Sequence, residues 1–312
     1  MGYFSKRKKQ KREILFLSTV LLLLGLATIA AFFDDGGSSI IYYIDAWRFQ
    51  LYIILLLTML YAVISRHLLF AAAALLLLGG NYMILASSGP LFFNQTSEPG
   101  DQLRLFYQNS PKDMDRFLHG AGSYNARIAG INFRHDTYIP KVADNTRYHF
   151  FHTHGDIMKT ALFAEDMPLR SGKINFSHNQ EASFMVFEQS GHRFVLLNLY
   201  FSRLPISEQE TVFRNLAEFV LSQDDPVIVV GDFGVPAWIP VFKNFLKKTA
   251  LEVKNHIILS DGRYRINPFA VPTFYILGYR NVGVSDITFL PRKNAKTFPV
   301  GITLNIRPAE TN

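Results

Sequence analysis

Apolar positions follow two regimes along this chain. Ile14 to Phe33 (ILFLSTVLLLLGLATIAAFF) run for 20 positions without a charge. At 1.5 Å per residue this matches a hydrocarbon layer of roughly 30 Å and predicts a spanning helix. Further apolar runs over 47–64 and 68–86 are separated only by Ser65, Arg66 and His67, which predicts a helical hairpin with a tight charged turn. Ser87 to Gly100 (SSGPLFFNQTSEPG) is rich in turn formers and reads as a linker over about 87–101. Beyond it, short apolar runs alternate with amphipathic segments. Strands are predicted over 103–107, 126–131, 160–164, 183–188, 193–201, 226–233, 285–290 and 300–306. Helices are predicted over 207–221, with a Ser cap and early Glu208 and Glu210, and over 238–249. The order suits a two-sheet α/β sandwich over 102–312 behind three transmembrane helices.

Short flanks set the expected orientation. Lys6, Arg7, Lys8, Lys9, Lys11 and Arg12 form a basic tail over 1–13, and Arg66 with His67 lies between the second and third helices. Asp34, Asp35 and Asp45 lie between the first and second. The positive-inside rule places the N-terminus and the Arg66 turn in the cytoplasm, and three crossings place the rest on the far side of the inner membrane, the periplasm of a Gram-negative cell. The first run exceeds the ~7–15-residue core of a signal peptide, and no small-x-small site precedes Asp34.

Composition narrows the chemistry. The 312 residues contain no cysteine, which excludes disulfides, thiolate zinc sites and cysteine nucleophiles. Of the net charge of +7, residues 1–90 hold +4 (8 Lys/Arg against 4 Asp/Glu), leaving +3 for the other 222 residues, so no nucleic-acid partner is expected. YHFFHTHGD brings His149, His152, His154 and Asp156 together. His152 and His154 would share one strand face, a spacing usable for Zn²⁺; the plainer reading is a solvated aromatic-rich strand end. His178 and His192 read as surface residues, and Arg263, Arg265 and Arg280 as an anion grip or solvated charges. Gly25, Gly79 and Gly80 would allow close helix contact. The 28 phenylalanines exceed what a core alone demands, so some rings are expected on a partner surface.

LRLFYQN, ARIAGINF, ALFAEDMPL, LLNLYF, VIVVGDFGVPAW followed by FKNFLKKTAL, then PTF, SDITFL and KTFPVGITLNI occur in this order. Together they resemble the endonuclease/exonuclease/phosphatase superfamily, and more narrowly its bacterial membrane-anchored branch with three N-terminal helices. The resemblance covers most of 102–307 and implies a DNase I-like four-layer sandwich hydrolysing phosphodiesters or phosphomonoesters with Mg²⁺ or Mn²⁺. Asn109, Asp232 and Asp286 match the family's site residues. The metal-binding Glu falls on Phe133, the donor His on Tyr200, the Asn of GDFN on Gly234, and the His after the late Asp on Ile287. The closing SDH falls on Ala295, Lys296 and Thr297.

That set does not suit the family's mechanism. Mg²⁺ takes several oxygen ligands, a nearby ammonium would repel it, and Thr297 supplies no group titrating near neutrality. Each lost role typically costs ~10²–10⁴ in rate. The expectation is a membrane-tethered pseudoenzyme without a cofactor, presenting a groove lined by Phe133, Tyr200, Gly234 and Lys296 to a protein partner in an envelope complex. The alternative is an active phosphodiesterase or phosphatase on a lipid headgroup or nucleotide, with a metal set drawn from Asn109, Asp232, Asp286 and the His cluster.

Overall fold

The computed structural model describes residues 2–30, 39–86, 101–109, 111, 113–138, 147–150, 157–177, 180–189, 191–201, 206–255, 271–290 and 299–307. The chain divides into two compact units: a helical one whose main segment is Met1–Ser88, and a sandwich whose main segments are Gly89–Ala237 and Val241–Asn312.

The helical unit contains α1 (Gly2–Ala30), α2 (Ser39–Ala46), α3 (Arg48–Ile64) and α4 (Leu68–Ala86). The basic segment opens α1, since Lys and Arg are good helix formers. Two helices are long and apolar enough to cross a membrane, Lys8–Ala30 and Leu68–Ala86; α3 is apolar but shorter, at 17 residues. Arg66 takes a positive φ of 60° and closes the turn after α3, where its N–H donates to Val63 O at 3.0 Å and that of His67 donates to Ala62 O at 2.8 Å. Leu21, Leu24, Leu55, Ala74 and Leu78 form the buried seam of α1, α3 and α4.

Polar residues cross this seam at two levels. At one, Asn81 Nδ2 donates to Thr28 Oγ1 at 2.7 Å, Arg48 Nη1 donates to Asn81 Oδ1 at 2.9 Å, and Arg48 Nε donates to Asp45 Oδ1. At the other, His67 Nε2 lies 3.6 Å from Glu13 Oε2.

In the sandwich, sheet A has the order β11-β12-β1-β2-β4-β3, and sheet B has β5-β6-β7-β8-β10-β9. Sheet A comprises β1 (Asp101–Asn109), β2 (Ile128–Tyr138), β3 (His149–Phe150), β4 (Ile157–Ala164), β11 (Val282–Phe289) and β12 (Val300–Ile306). Sheet B comprises β5 (Arg170–Ser177), β6 (Gln180–Gln189), β7 (His192–Phe201), β8 (Val227–Asp232), β9 (Glu252–Val253) and β10 (Phe274–Gly278). Alternation along each strand sends Leu103, Leu105, Ile128, Leu162, Met185, Leu196, Ile228, Val230 and Ile276 into the core between the sheets.

Helix α5 (Met114–Ser123), capped by Asp113 Oδ1 accepting from Arg116 N at 3.1 Å, covers the outer face of sheet A through Phe117, Leu118 and Ala121. Outside sheet B, α6 (Ile206–Leu221) and α7 (Pro240–Thr249) enclose Phe201, Phe213, Phe233, Phe242, Phe245 and Tyr275, with ring centroids 5.0–6.5 Å apart. Five of the phenylalanines thus build this second core. Among the described sandwich residues, the large apolar side chains left exposed are Met167, Leu169 and Leu221, none of them aromatic.

Candidate functional site

Strand register gathers the candidate site at one end of the sandwich. In sheet A, Asn109 pairs with Asn132, and Asn132 with Thr160. In sheet B, Glu181 pairs with Tyr200, Tyr200 with Asp232, and Asp232 with Phe274. Each row shares its strands' inward-facing alternation, so the two rows face one another across the end of the core. The end is held by polar bonds between the sheets. Asn132 Nδ2 donates to Leu199 O at 3.1 Å, and Asn198 Nδ2 returns the link to Ile131 O at 2.9 Å and Ala161 O at 3.0 Å. Glu181 Oε1 accepts from Thr160 N at 2.8 Å, and its Oε2 lies 3.0 Å from Lys173 Nζ.

Asp232 terminates β8. Its Oδ1 accepts from Gly234 N at 3.0 Å, an Asx-type turn that Gly234 allows with a φ of +68°. Thr273, just before β10, also hydrogen-bonds the carboxylate. Although Asp232 keeps a partly exposed surface, its carboxyl sits among protein groups, and this desolvation raises its pKa against the lowering effect of the Gly234 and Thr273 bonds. Tyr107 OH donates to Asn109 Oδ1 at 2.9 Å and accepts from Asn132 Nδ2. Burial, then the charge of Asp232 and the nearby Tyr200, push the Tyr107 phenol well above its ordinary value, so it stays neutral.

The raised carboxyl has a stability consequence. Below the ordinary carboxylate pKa, Asp232 is protonated in both the folded and unfolded states and costs nothing. As pH climbs from there through the raised folded value, the unfolded chain releases its proton first, so stability falls. Asp232→Asn is therefore expected to raise the melting temperature by a few degrees at pH 7 and to leave it unchanged near about pH 3. Melting curves at the two pH values test this; an equal gain at both would show that the charge is not the cause.

The structure does not gather every residue singled out above. Asn109, Tyr200, Asp232 and Gly234 meet at this end. Asp286 does not: its partner is Thr303, which also pairs with Arg104, five positions before Asn109 and about 16 Å along the strand. A bulge between Val284 and Asp286 turns Ile287 into the inter-sheet core and sends Asp286 to the opposite face, where its Oδ2 accepts from Thr288 Oγ1 at 2.6 Å. The strand flanking Asp232 is β10, and Thr273 is the side chain that reaches the carboxylate. His149 pairs with Ala164 on the edge strand β3, away from Asp232. Exposed Arg280 pairs with Glu252 at 3.6 Å. The side chain of Phe133, and residues His152, His154, Asp156, His178, Arg263, Arg265, Ala295, Lys296 and Thr297, lie outside the described residues. Sequence reasoning missed Tyr107, Asn132, Glu181, Asn198 and Thr273; a lone Asn at an inward position of LLNLYF was the available signal.

The Mg²⁺ implied by the resemblance does not fit the described donors. Asp232 and Glu181 supply the carboxylates of the two rows, but Glu181 is already matched by Lys173 and the Thr160 N–H, which leaves one carboxyl for an ion that takes several oxygen ligands. Among the described residues no three His, Asp or Glu side chains cluster as a metal site. Among the described residues, this end offers amides, phenols, one desolvated carboxyl and the Glu181–Lys173 pair, a set rich in hydrogen-bonding groups.

No family model matches the chain, and no curated protein matches it in sequence. Solved structures share its fold. An endonuclease/exonuclease/phosphatase protein from Bacteroides vulgatus superposes with a TM-score of 0.52 at 15% identity, covering 66% of this chain and 100% of its own. A functionally unknown conserved protein from Enterococcus faecalis gives 0.51 at 11% identity, with 66% and 100% covered. Two mixed sheets between outer helices, matched over the whole length of those chains, define the sandwich as a DNase I-like fold.

Proposed function

We propose that this chain is a membrane-anchored, catalytically inactive relative of the endonuclease/exonuclease/phosphatase proteins, acting as a binding or scaffold component of an envelope complex at the outer face of the cytoplasmic membrane. The observation that carries the non-hydrolytic reading is the chemistry of the two facing rows: one desolvated carboxyl, one carboxylate held by a lysine, and neutral amides and phenols around them. A metal-dependent phosphoryl-transfer site needs several oxygen ligands to hold its ion, and the described residues of this end supply one carboxyl that is not already matched by a lysine. The rearranged-metal alternative draws on one feature, the buried Asn132 Oδ1, which has no hydrogen-bond partner.

Three crossings are supported by the two polar levels of the helical unit. Glu13 to Thr28 along α1 spans about 22 Å, and His67 to Asn81 along α4 about 21 Å. Helix α3 connects the same two levels, from Arg48 to the turn at His67, over about 25 Å. Its 17 residues therefore traverse the layer that α1 and α4 traverse, with the basic N-terminus cytoplasmic and the sandwich outside.

The test uses the full chain in sealed membrane vesicles of both orientations, supplied with bis(4-nitrophenyl) phosphate and Mg²⁺ or Mn²⁺. Expected are no divalent-dependent turnover above that of Asp232→Ala, and protease access to the sandwich only in right-side-out vesicles. Turnover that requires the ion and vanishes in Asp232→Ala would overturn the non-hydrolytic reading. Access from the cytoplasmic side would overturn the orientation.

A further inference from the structure

The Asp45–Arg48–Asn81–Thr28 chain draws one residue from each helix of the helical unit. Arg48 is fully buried, as is Asn81, and Thr28 and Asp45 nearly so. The links run in series. Asp45 at the end of α2 takes the Nε side of the guanidinium, whose Nη1 donates to Asn81 on α4 at 2.9 Å. Asn81 then donates to Thr28 on α1 at 2.7 Å, and Thr28 Oγ1 donates back to Leu24 O at 2.7 Å. Asn81 Nδ2 has a second acceptor in Leu77 O at 3.0 Å, so neither amide hydrogen is left without a partner.

Apart from the tight turn that joins α3 to α4 and the approach of His67 to Glu13 at 3.6 Å, the helices bring little else that fixes their axial position. Their seam is built of leucines and alanines, which slide past one another by a turn at small cost, because one apolar contact replaces another. The polar chain is different: displacing α4 by about 5 Å, one helical turn, would break both of its links between separate helices, Arg48–Asn81 and Asn81–Thr28, and leave their donors and acceptor unmatched in an apolar interior, while the local Asp45–Arg48 pair would persist. Small residues bring α1 and α4 close beside the chain. A Cβ on Gly80 would meet Thr28 Cγ2 at 3.7 Å, and one on Gly25 would meet Leu77 Cδ1 at 3.8 Å.

We infer that the Asp45–Arg48–Asn81–Thr28 chain is a register lock, a device that selects one axial alignment of α1, α3 and α4 from the several that the leucine seam would accept. Arg48 is the bridging donor, and it serves specificity of alignment more than net stability. The inference stands independently of the reading given to the sandwich.

The chain's lack of cysteine makes cross-linking a direct readout. G25C/L77C reports the observed alignment, and G25C/A74C reports α4 displaced by about one turn. Both pairs are oxidised in native membranes in the otherwise unaltered chain, in D45L/R48M and in N81L. D45L/R48M removes both charges together, so no ion is stranded. In the unaltered background the first pair is expected to cross-link and the second hardly at all. In D45L/R48M and in N81L, the ratio of first to second is expected to fall by a factor of roughly 5 to 30. A purely space-filling role would leave the ratio unmoved, and an unchanged ratio in either variant that still inserts would overturn the lock. Should D45L/R48M fail to insert, N81L, which leaves the Asp45–Arg48 pair in place, decides the question.

Discussion

Gly231→Ala is expected to cost on the order of 4 kcal/mol or more, lowering the melting temperature of the sandwich by about 8–16 °C. Gly231 has a φ of +153°, a conformation that side-chain-bearing residues rarely adopt, and a Cβ there would lie 2.0 Å from Leu199 O and 2.8 Å from Leu199 C. Both are backbone atoms of β7, the strand that pairs with β8 at this position. No rotamer change relieves the clash, so the two strands must part where Tyr200 and Asp232 sit side by side. Gly234→Ala is the comparison: its φ is +68°, ordinary left-handed strain, so about 1 kcal/mol is expected. Circular dichroism melts of the two variants distinguish a clash from ordinary left-handed strain. A melting point for Gly231→Ala within 2 °C or so of the parent's, against the shift expected here, would mean that β7 and β8 do not approach as described.

Phe233→Ala should cost about 3–5 kcal/mol, the range for a fully buried ring. Phe233 is 0% exposed, and its ring centroid lies 5.0 Å from that of Phe242, 6.0 Å from Tyr275 and 6.3 Å from Phe201. It directly follows Asp232, and its N–H donates to Thr273 O at 2.8 Å, so the same residue ties the outer aromatic core to the backbone beside the carboxylate. Phe233→Leu, which keeps most of the volume, should cost clearly less. Equal losses in the two variants, measured by chemical denaturation, would show that the ring's packing is not what holds this strand end.

Much of the architecture was legible from periodicity. The strands over 193–201, 226–233 and 300–306 stand out as short apolar runs, buried at nearly every position, and helix 207–221 carries its buried stripe at Val212, Phe213, Leu216, Ala217 and Val220. Elements shaped by partners were less visible. Strand β5, RSGKINFS, has one fully buried position, and β9 and β3 have two residues each; these form because a neighbouring strand offers them hydrogen bonds. The mixed composition of α5, with two glycines, hid a helix that its Asp113 cap and contact with Phe106 stabilise.

The candidate site divides the same way. Asp232 announced itself by ending an apolar strand, and its place at the carboxyl end of that strand followed from the pattern alone. Asp286 looked equally suited, yet a single bulge in β11 reversed its face and the register set it about 16 Å away, because side-chain direction has a period of two and one extra residue inverts it. Thr273 reached Asp232 in its stead only because β10 pairs antiparallel with β8. Local composition and period were enough to mark which segments are apolar enough to be strands, helices or membrane helices, and the absence of cysteine to exclude its chemistry. Which polar groups meet was set by packing in three dimensions: Glu181 with Lys173, Asn132 and Asn198 across the sheets, and Arg48 with Asn81. Such encounters depend on register and on contacts between residues far apart in the chain, which no local pattern encodes.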